Sequence, residues 1–198
     1  MGVVSVLTQL DNFKLSLTNE PDSFMKARGT LIRRSPLTET SLIVHWCTRE
    51  NGIVKTVAKG ARRPKSPFAG KLDLFYLCEV EIHPARNGDL HILKDLTVER
   101  PRLGLRRNYV QTLAAAYFVK LIDQVAEAET PLPELADLLD RGLNYLEDHD
   151  ADERSLVHFE KQLGGFLGVL EPGIDPIRSI REHFGNIPPQ REELMQRI

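Results

Sequence analysis

The sequence predicts an α+β protein, with a five-stranded barrel toward the N-terminus and α-helices filling the C-terminal half. Three observations carry this. From Arg28 to Arg100, short runs rich in β-branched and aromatic residues alternate with turn signals; after Pro101 the apolar residues recur every four; and the charge changes sign near the same place. Residues 26–110 hold 17 basic against 8 acidic side chains and residues 111–198 hold 8 against 17, so a net charge of -2 conceals two opposed segments. The basic one suits a polyanion, and the pattern implies a domain at 25–100, a second at 101–198, and an N-terminal extension of uncertain order at 1–24.

The elements follow in order. ARGTLIRRS reads as a first strand ended by Pro36, and TSLIVHWCTR as a second. Asn51-Gly52 then makes a hairpin turn into GIVKTVAKG, the third. LDLFYLCEVEIH and DLHILKDLTVER, around Asn87-Gly88, supply the fourth and fifth. Five short strands over about 80 residues suit a small antiparallel barrel of OB-fold size. Downstream, Tyr109, Leu113, Tyr117, Leu121 and Val125 form one helical stripe, which Thr130, Pro131 and Pro133 end. PELADLLDRGLNYLED restarts with Pro133 in its first turn and Leu135, Leu138, Leu139, Leu143 and Leu146 on one face. Asp150 with Glu153 resembles a capping box before a third helix, striped by Leu156, Phe159, Leu163, Phe166, Leu167 and Leu170. Asp175-Pro176 caps a fourth, running through Phe184. In residues 1–24, VVSVLTQL and FKLSLT could pair as a hairpin, yet the first strand runs naturally from Met25; an upstream extension or a start assigned too early fits equally.

No catalytic signature emerges. GxGxxG, GxSxG and HExxH are absent, and AGKL at Ala69 to Leu72 lacks the upstream Gly and the following Ser or Thr of a phosphate loop. Asp148, Asp150 and Asp152 open like a calcium loop, but Glu153 replaces the turn glycine and Phe159 stands where the bidentate Glu belongs. Cys47 and Cys78 are isolated and sit in apolar runs, so buried reduced thiols are expected and no metal or cofactor. His45, in an apolar strand, is expected to be a satisfied barrel residue. No apolar run approaches the roughly 18 residues of a membrane span, and the N-terminus lacks a secretory pattern, so the expected address is cytoplasmic.

The stretch VAKGARRPKS is different. Lys55, Lys59, Arg62, Arg63, Lys65 and Lys71 fall between Asn51 and Leu72 with no acid among them. Lys55 and Lys59 are spaced to leave one strand face, Gly60 lets a backbone approach, and Pro64 and Pro67 stiffen the loop. Such cations make a track for phosphates, which Arg28, Arg33 and Arg34 on the first strand and Arg100, Arg102, Arg106 and Arg107 at the junction could extend. Ordinary solvated charge is the plain alternative. Trp46, Phe68, Phe75 and Tyr76 are candidates for base stacking, with core burial the competing expectation for each.

RGTLIRRSPLTETSLIVHWCTRENGIVKTVAKGARRPKSPFAGKLDLF resembles the N-terminal domain of the bacterial recombination mediator family RecO. The shared pattern is an arginine-led strand, Glu-Thr-Ser, Thr-Arg-Glu-Asn-Gly and, most specifically, Ala-Lys-Gly-Ala-Arg-Arg. The likeness continues more weakly through the helices to Pro172. It implies a non-enzymatic DNA repair protein that binds single- and double-stranded DNA, anneals complementary strands and works with RecR, RecA and single-strand-binding protein. That last partner's acidic tail docks on the helical domain in the family and needs an apolar groove with a cation. The family's zinc-binding cysteine cluster is absent here: either Ile174, Ile177, Ile180 and Phe184 pack in its place, or the chain is a divergent paralogue. An adaptor that kept the fold and lost DNA binding is the rival reading. It requires the loop cations to be tied up in internal ion pairs or covered by the N-terminal extension, whereas the mediator reading requires them exposed.

Overall fold

In the computed structural model, which describes residues 24–198, five strands close a barrel and five helices follow it. The strands are β1 (Met25–Pro36), β2 (Leu42–Thr48), β3 (Gly52–Ala58), β4 (Leu77–His83) and β5 (Leu90–Arg100). They run around the barrel in the order β1-β2-β3-β5-β4. Four of the pairings are antiparallel. The fifth corrects the expectation of an antiparallel barrel: β3 meets β5 in parallel, Lys55 to Val57 against Leu90 to Ile92, because the long loop after β3 lets the chain cross before β4 and β5 return as a hairpin. This mixed, closed, OB-like barrel encloses Leu31, Val44, Trp46, Val54, Val80 and Ile82. Within it the Trp46 indole N–H donates to Thr56 Oγ1 at 2.9 Å, satisfying the polar end of a fully buried ring.

The fourth strand starts five residues later than its apolar run suggests. At Phe75 the backbone turns left-handed (φ 73), and Phe75 and Tyr76 exchange hydrogen bonds with Leu31 at the β1 bulge. The carbonyls of Leu72, Leu74 and Phe75 are taken by the guanidinium groups of Arg34, Arg106 and Arg102, not by a neighbouring strand.

A single 3₁₀ turn (Leu103–Arg106) leads into α1 (Tyr109–Val125), α2 (Pro133–Asp148), α3 (Glu153–Leu167), α4 (Pro176–Phe184) and a short α5 (Gln190–Met195). The α2 stripe is buried throughout. Two other stripes are shorter than expected. Tyr109, in the first turn of α1, is exposed; its hydroxyl donates to Glu193 at 2.8 Å and Arg197 covers its ring. Phe166 and Leu170 are exposed at the end of α3, where the chain leaves the core. Of the four residues expected to pack together here, Ile177 and Ile180 are buried in the helical core and Phe184 packs against that core, whereas Ile174 is only half-buried and lies outside it. Two buried polar groups fasten the bundle. Gln111 donates to the carbonyls of Leu146 and His149 and accepts from Ala151 N–H, closing the α2–α3 connection. Glu160, fully buried, accepts from Tyr117 at 2.6 Å and from Arg191 at 2.7 Å, and Tyr117 is pushed well above its ordinary pKa by burial beside that carboxylate.

The capping box before α3 sits two residues beyond the expected Asp150. Asp152 accepts from Ser155 N–H at 2.8 Å, and the Ser155 hydroxyl receives the Asp152 N–H at 3.1 Å. Hydrogen bonds from Ser155 hold the Asp152 carboxyl below its ordinary pKa. Asp152→Ala is expected to cost about 1 kcal/mol in urea unfolding at neutral pH. Because the folded pKa is the depressed one, the cap's contribution is complete above the unfolded carboxyl value and is lost as pH falls through the folded one; wild type and variant should converge there.

Burial pushes both thiols up to about 12, and Cys47 and Cys78 are buried and free, as expected of structural cysteines. Among the described residues no helix is long and apolar enough to cross a membrane. The hairpin that VVSVLTQL and FKLSLT predict lies outside the described residues.

Candidate nucleic-acid interface

Strand register sets the geometry of the basic loop. Pro36 stands opposite Leu42 and Leu42 opposite Ala58, so the β1–β2 turn and the loop leaving β3 emerge at the same end of the barrel. The loop is wound on itself by successive turns: Ala61 to Ala58, Arg63 to Gly60, Ser66 to Arg63, Ala69 to Ser66 and Lys71 to Phe68. Gly60 (φ 70) and Gly70 (φ 73) make its left-handed corners. Phe68 and Leu72 drop into the barrel core as anchors. With the apolar residues turned in, Lys59, Arg62, Arg63 and Lys65 are all exposed. A chain already fixed in this shape loses little entropy on meeting a ligand.

The nine candidate cations divide into two groups. Lys59, Arg62, Arg63, Lys65 and Lys71 have no carboxylate partner among the described residues; Arg62 donates to Thr38 O at 3.2 Å and Lys71 to Leu96 O at 3.4 Å. Arg28, Arg33, Arg34 and Lys55 are each paired, to Glu99 (2.6 Å), Asp123 (3.7 Å), Asp73 (3.3 Å) and Asp89 (2.6 Å). The Lys55 hydrogen bond holds the Asp89 carboxyl below its ordinary value, and the Glu99 hydrogen bond raises Arg28. Lys59 lies one residue past the end of β3, so strand alternation does not set its direction as the spacing to Lys55 suggested.

The junction arginines do not lengthen the track; they face the seam between barrel and helices. Arg100 meets Glu147 at 2.9 Å, Arg106 meets Asp73 at 2.8 Å and Arg107 meets Asp150 at 2.9 Å. Arg102 is 1% exposed and cannot reach a ligand. Its guanidinium donates to Asp140, to Asn144 Oδ1 at 3.0 Å, to Phe75 O at 2.7 Å and to Thr30 Oγ1 at 3.2 Å. Burial lowers its pKa, with Asp140 opposing. Arg33–Asp123 and Arg49–Asp137 complete a row of arginine–carboxylate pairs across the seam. Part of the charge division in the sequence is therefore neutralised within the molecule, and among the described residues the loop after β3 gathers the largest group of barrel cations left without a carboxylate, with Lys26, Arg86 and Lys94 scattered elsewhere. Asp123 also stands 3.7 Å from His45 Nδ1, which has no hydrogen-bond partner among the described residues, so His45 is not the satisfied core residue expected. Trp46, Phe68 and Phe75 are buried and Tyr76 is half-buried, which removes them as an exposed stacking platform.

A second feature escaped sequence reasoning. A groove of about 540 Å³ opens between α2 and α3, floored by Leu138 and the stacked rings of Phe118 and Phe159 (3.8 Å, 4°). Arg141, Arg154, His158 and Tyr145 rim it. Gly142 keeps the floor open, since a Cβ there would lie 3.0 Å from the Phe159 ring. The signal in the sequence was the glycine interrupting a leucine-rich stripe opposite two arginines, but it needs the α2–α3 crossing to become a groove.

Residues 23–102 match the family model described as Recombination protein O N terminal. The chain is 34% identical over 131 residues to a DNA repair protein RecO of a Cyanothece strain, covering 66% of this chain and 44% of that protein. It is 31% identical over 148 residues to that of Idiomarina loihiensis, covering 73% and 61%. With the protein of the same name from Rhodopirellula baltica it shares 28% over 138 residues, covering 70% and 51%. The chain spans about half the length of the curated relatives it matches.

Proposed function

The chain belongs to the RecO family, and from that premise we propose that it is a DNA repair protein without catalytic activity, whose barrel binds DNA through the loop after β3. The observation that carries this is the division of the cations. The loop's exposed Lys59, Arg62, Arg63 and Lys65 lack carboxylate partners among the described residues, while the arginines of the seam are consumed by acids. Phosphate contacts fix a strand's position and carry no sequence information, so binding is non-specific and bases stay largely free to pair. Annealing of complementary strands and, with RecR, loading of RecA in gap repair follow for a protein in the cytoplasm at the nucleoid. Arg28, Arg33, Arg34 and Lys55 contribute to the DNA site only by exchanging their carboxylates for phosphates, a weaker role than that of the loop.

Residues 25–100 act in this reading as the DNA-binding domain and residues 101–198 as the partner-binding domain. The groove between α2 and α3 is then the site for the acidic tail of single-strand-binding protein, because it joins an apolar floor to Arg141 and Arg154.

The test is anisotropy of a labelled oligonucleotide across a salt series, followed by annealing of complementary strands. Five loop contacts predict a log–log slope of about -3.5 on a single strand. Failure to bind at low salt would sink the reading and leave the adaptor alternative.

A further inference from the structure

We propose that the β1–β2 turn, residues 37–41, is a base-contacting tip beside the basic loop, with Leu37 packing on an unpaired base whose phosphates the loop holds. This rests on the DNA-binding reading above. The turn is fastened to the loop by one residue: Arg62 donates its backbone N–H to Thr40 O at 3.0 Å and its guanidinium to Thr38 O at 3.2 Å. It is also ordered from within. Thr38 Oγ1 accepts from Thr40 N at 3.3 Å and Ser41 N at 3.1 Å, and Leu37 N donates to Ser41 O at 3.0 Å. On this fixed turn Leu37 is 45% exposed, whereas Phe68 and Leu72 of the adjoining loop are buried.

The chemistry of the turn excludes phosphates as its ligand. It carries Glu39, exposed and without a cation partner among the described residues, and no Lys or Arg. A carboxylate beside an apolar side chain suits a base: the aliphatic group packs on its face, and the carboxylate can accept from the exocyclic amine of cytosine. Duplex DNA hides the base face within its stack, so the tip contributes only where a base is unpaired.

The experiment compares the full chain and Leu37→Ala on an intact single strand and on a strand of equal length with abasic positions, each across a salt series. Wild type should prefer the intact strand about 5- to 10-fold, less than an aromatic platform gives. Leu37→Ala should lose that preference while keeping its affinity for the abasic strand, its salt slope and its melting temperature. Equal wild-type binding of both strands with a steep salt slope would overturn the tip and leave the DNA-binding reading standing. An equal loss on both strands in Leu37→Ala overturns it as well. No binding of either strand at low salt overturns both proposals.

Discussion

Replacing Lys59, Arg62, Arg63 and Lys65 together by alanine is expected to weaken single-strand binding on the order of 100-fold at physiological salt and to flatten the salt slope from about -3.5 to about -0.7. Each of these side chains is exposed and free of a carboxylate among the described residues, so each can release a counterion from the strand without first breaking an ion pair. The fold should survive, because the residues that hold the loop in place are Phe68, Leu72 and the turn hydrogen bonds, none of which is altered. Arg62 is the one position of the four whose side chain has a second duty, donating to Thr38 O of the β1–β2 turn. Its single replacement should therefore weaken binding of an intact strand more than its share of the slope accounts for. The contrast is a variant of the paired cations Arg28 and Lys55, whose loss should move the slope less than an equal number of loop cations. Anisotropy titrations at four or more salt concentrations measure all of this. An unchanged slope in the quadruple variant would remove the loop from the DNA site.

Arg102→Met is expected to be the most destabilising single change at the seam, at about 3–5 kcal/mol, or roughly 10 °C in melting temperature. The guanidinium is fully buried and makes hydrogen bonds to β1, to the corner before β4 and to α2. Removing it strands Phe75 O and Thr30 Oγ1 in a buried interface and leaves Asp140 without its cation, with the Asn144 amide as its remaining donor. Arg102 also sits in a left-handed conformation (φ 45), which tertiary contacts must sustain. Arg28→Ala provides the control: that pair is 57% exposed on the arginine side, and its loss should cost under about 1 kcal/mol. Urea unfolding of the three proteins decides it, and a cost below about 1 kcal/mol for Arg102→Met would show that the seam relies on apolar packing alone.

The two arginines illustrate what could be read in advance. Arg62 and Arg102 are alike in the sequence, each near a proline and close to other cations. Arg62 stays at the surface because Phe68 and Leu72 pin the loop below it, and Arg102 is buried because Asp140 and Asn144 of α2, remote in sequence, close over it. His45 departs from the sequence expectation for the same reason, since its neighbour Asp123 arrives from α1. The fourth strand is shorter than its pattern predicts because LDLFY has the apolar alternation of a strand while three of its carbonyls are claimed by distant arginines.

By itself the sequence determined the five strands, the four longer helices, the buried cysteines and the cluster of loop cations, because periodicity, turn residues and local charge are properties of neighbours along the chain. Only the tertiary structure decided that β3 and β5 run parallel, which cations keep their charge available, and that a groove lies beside Gly142. Charge pairing and strand crossing depend on residues tens of positions apart, and an arginine next to a carboxylate in space looks, in sequence, the same as one facing water.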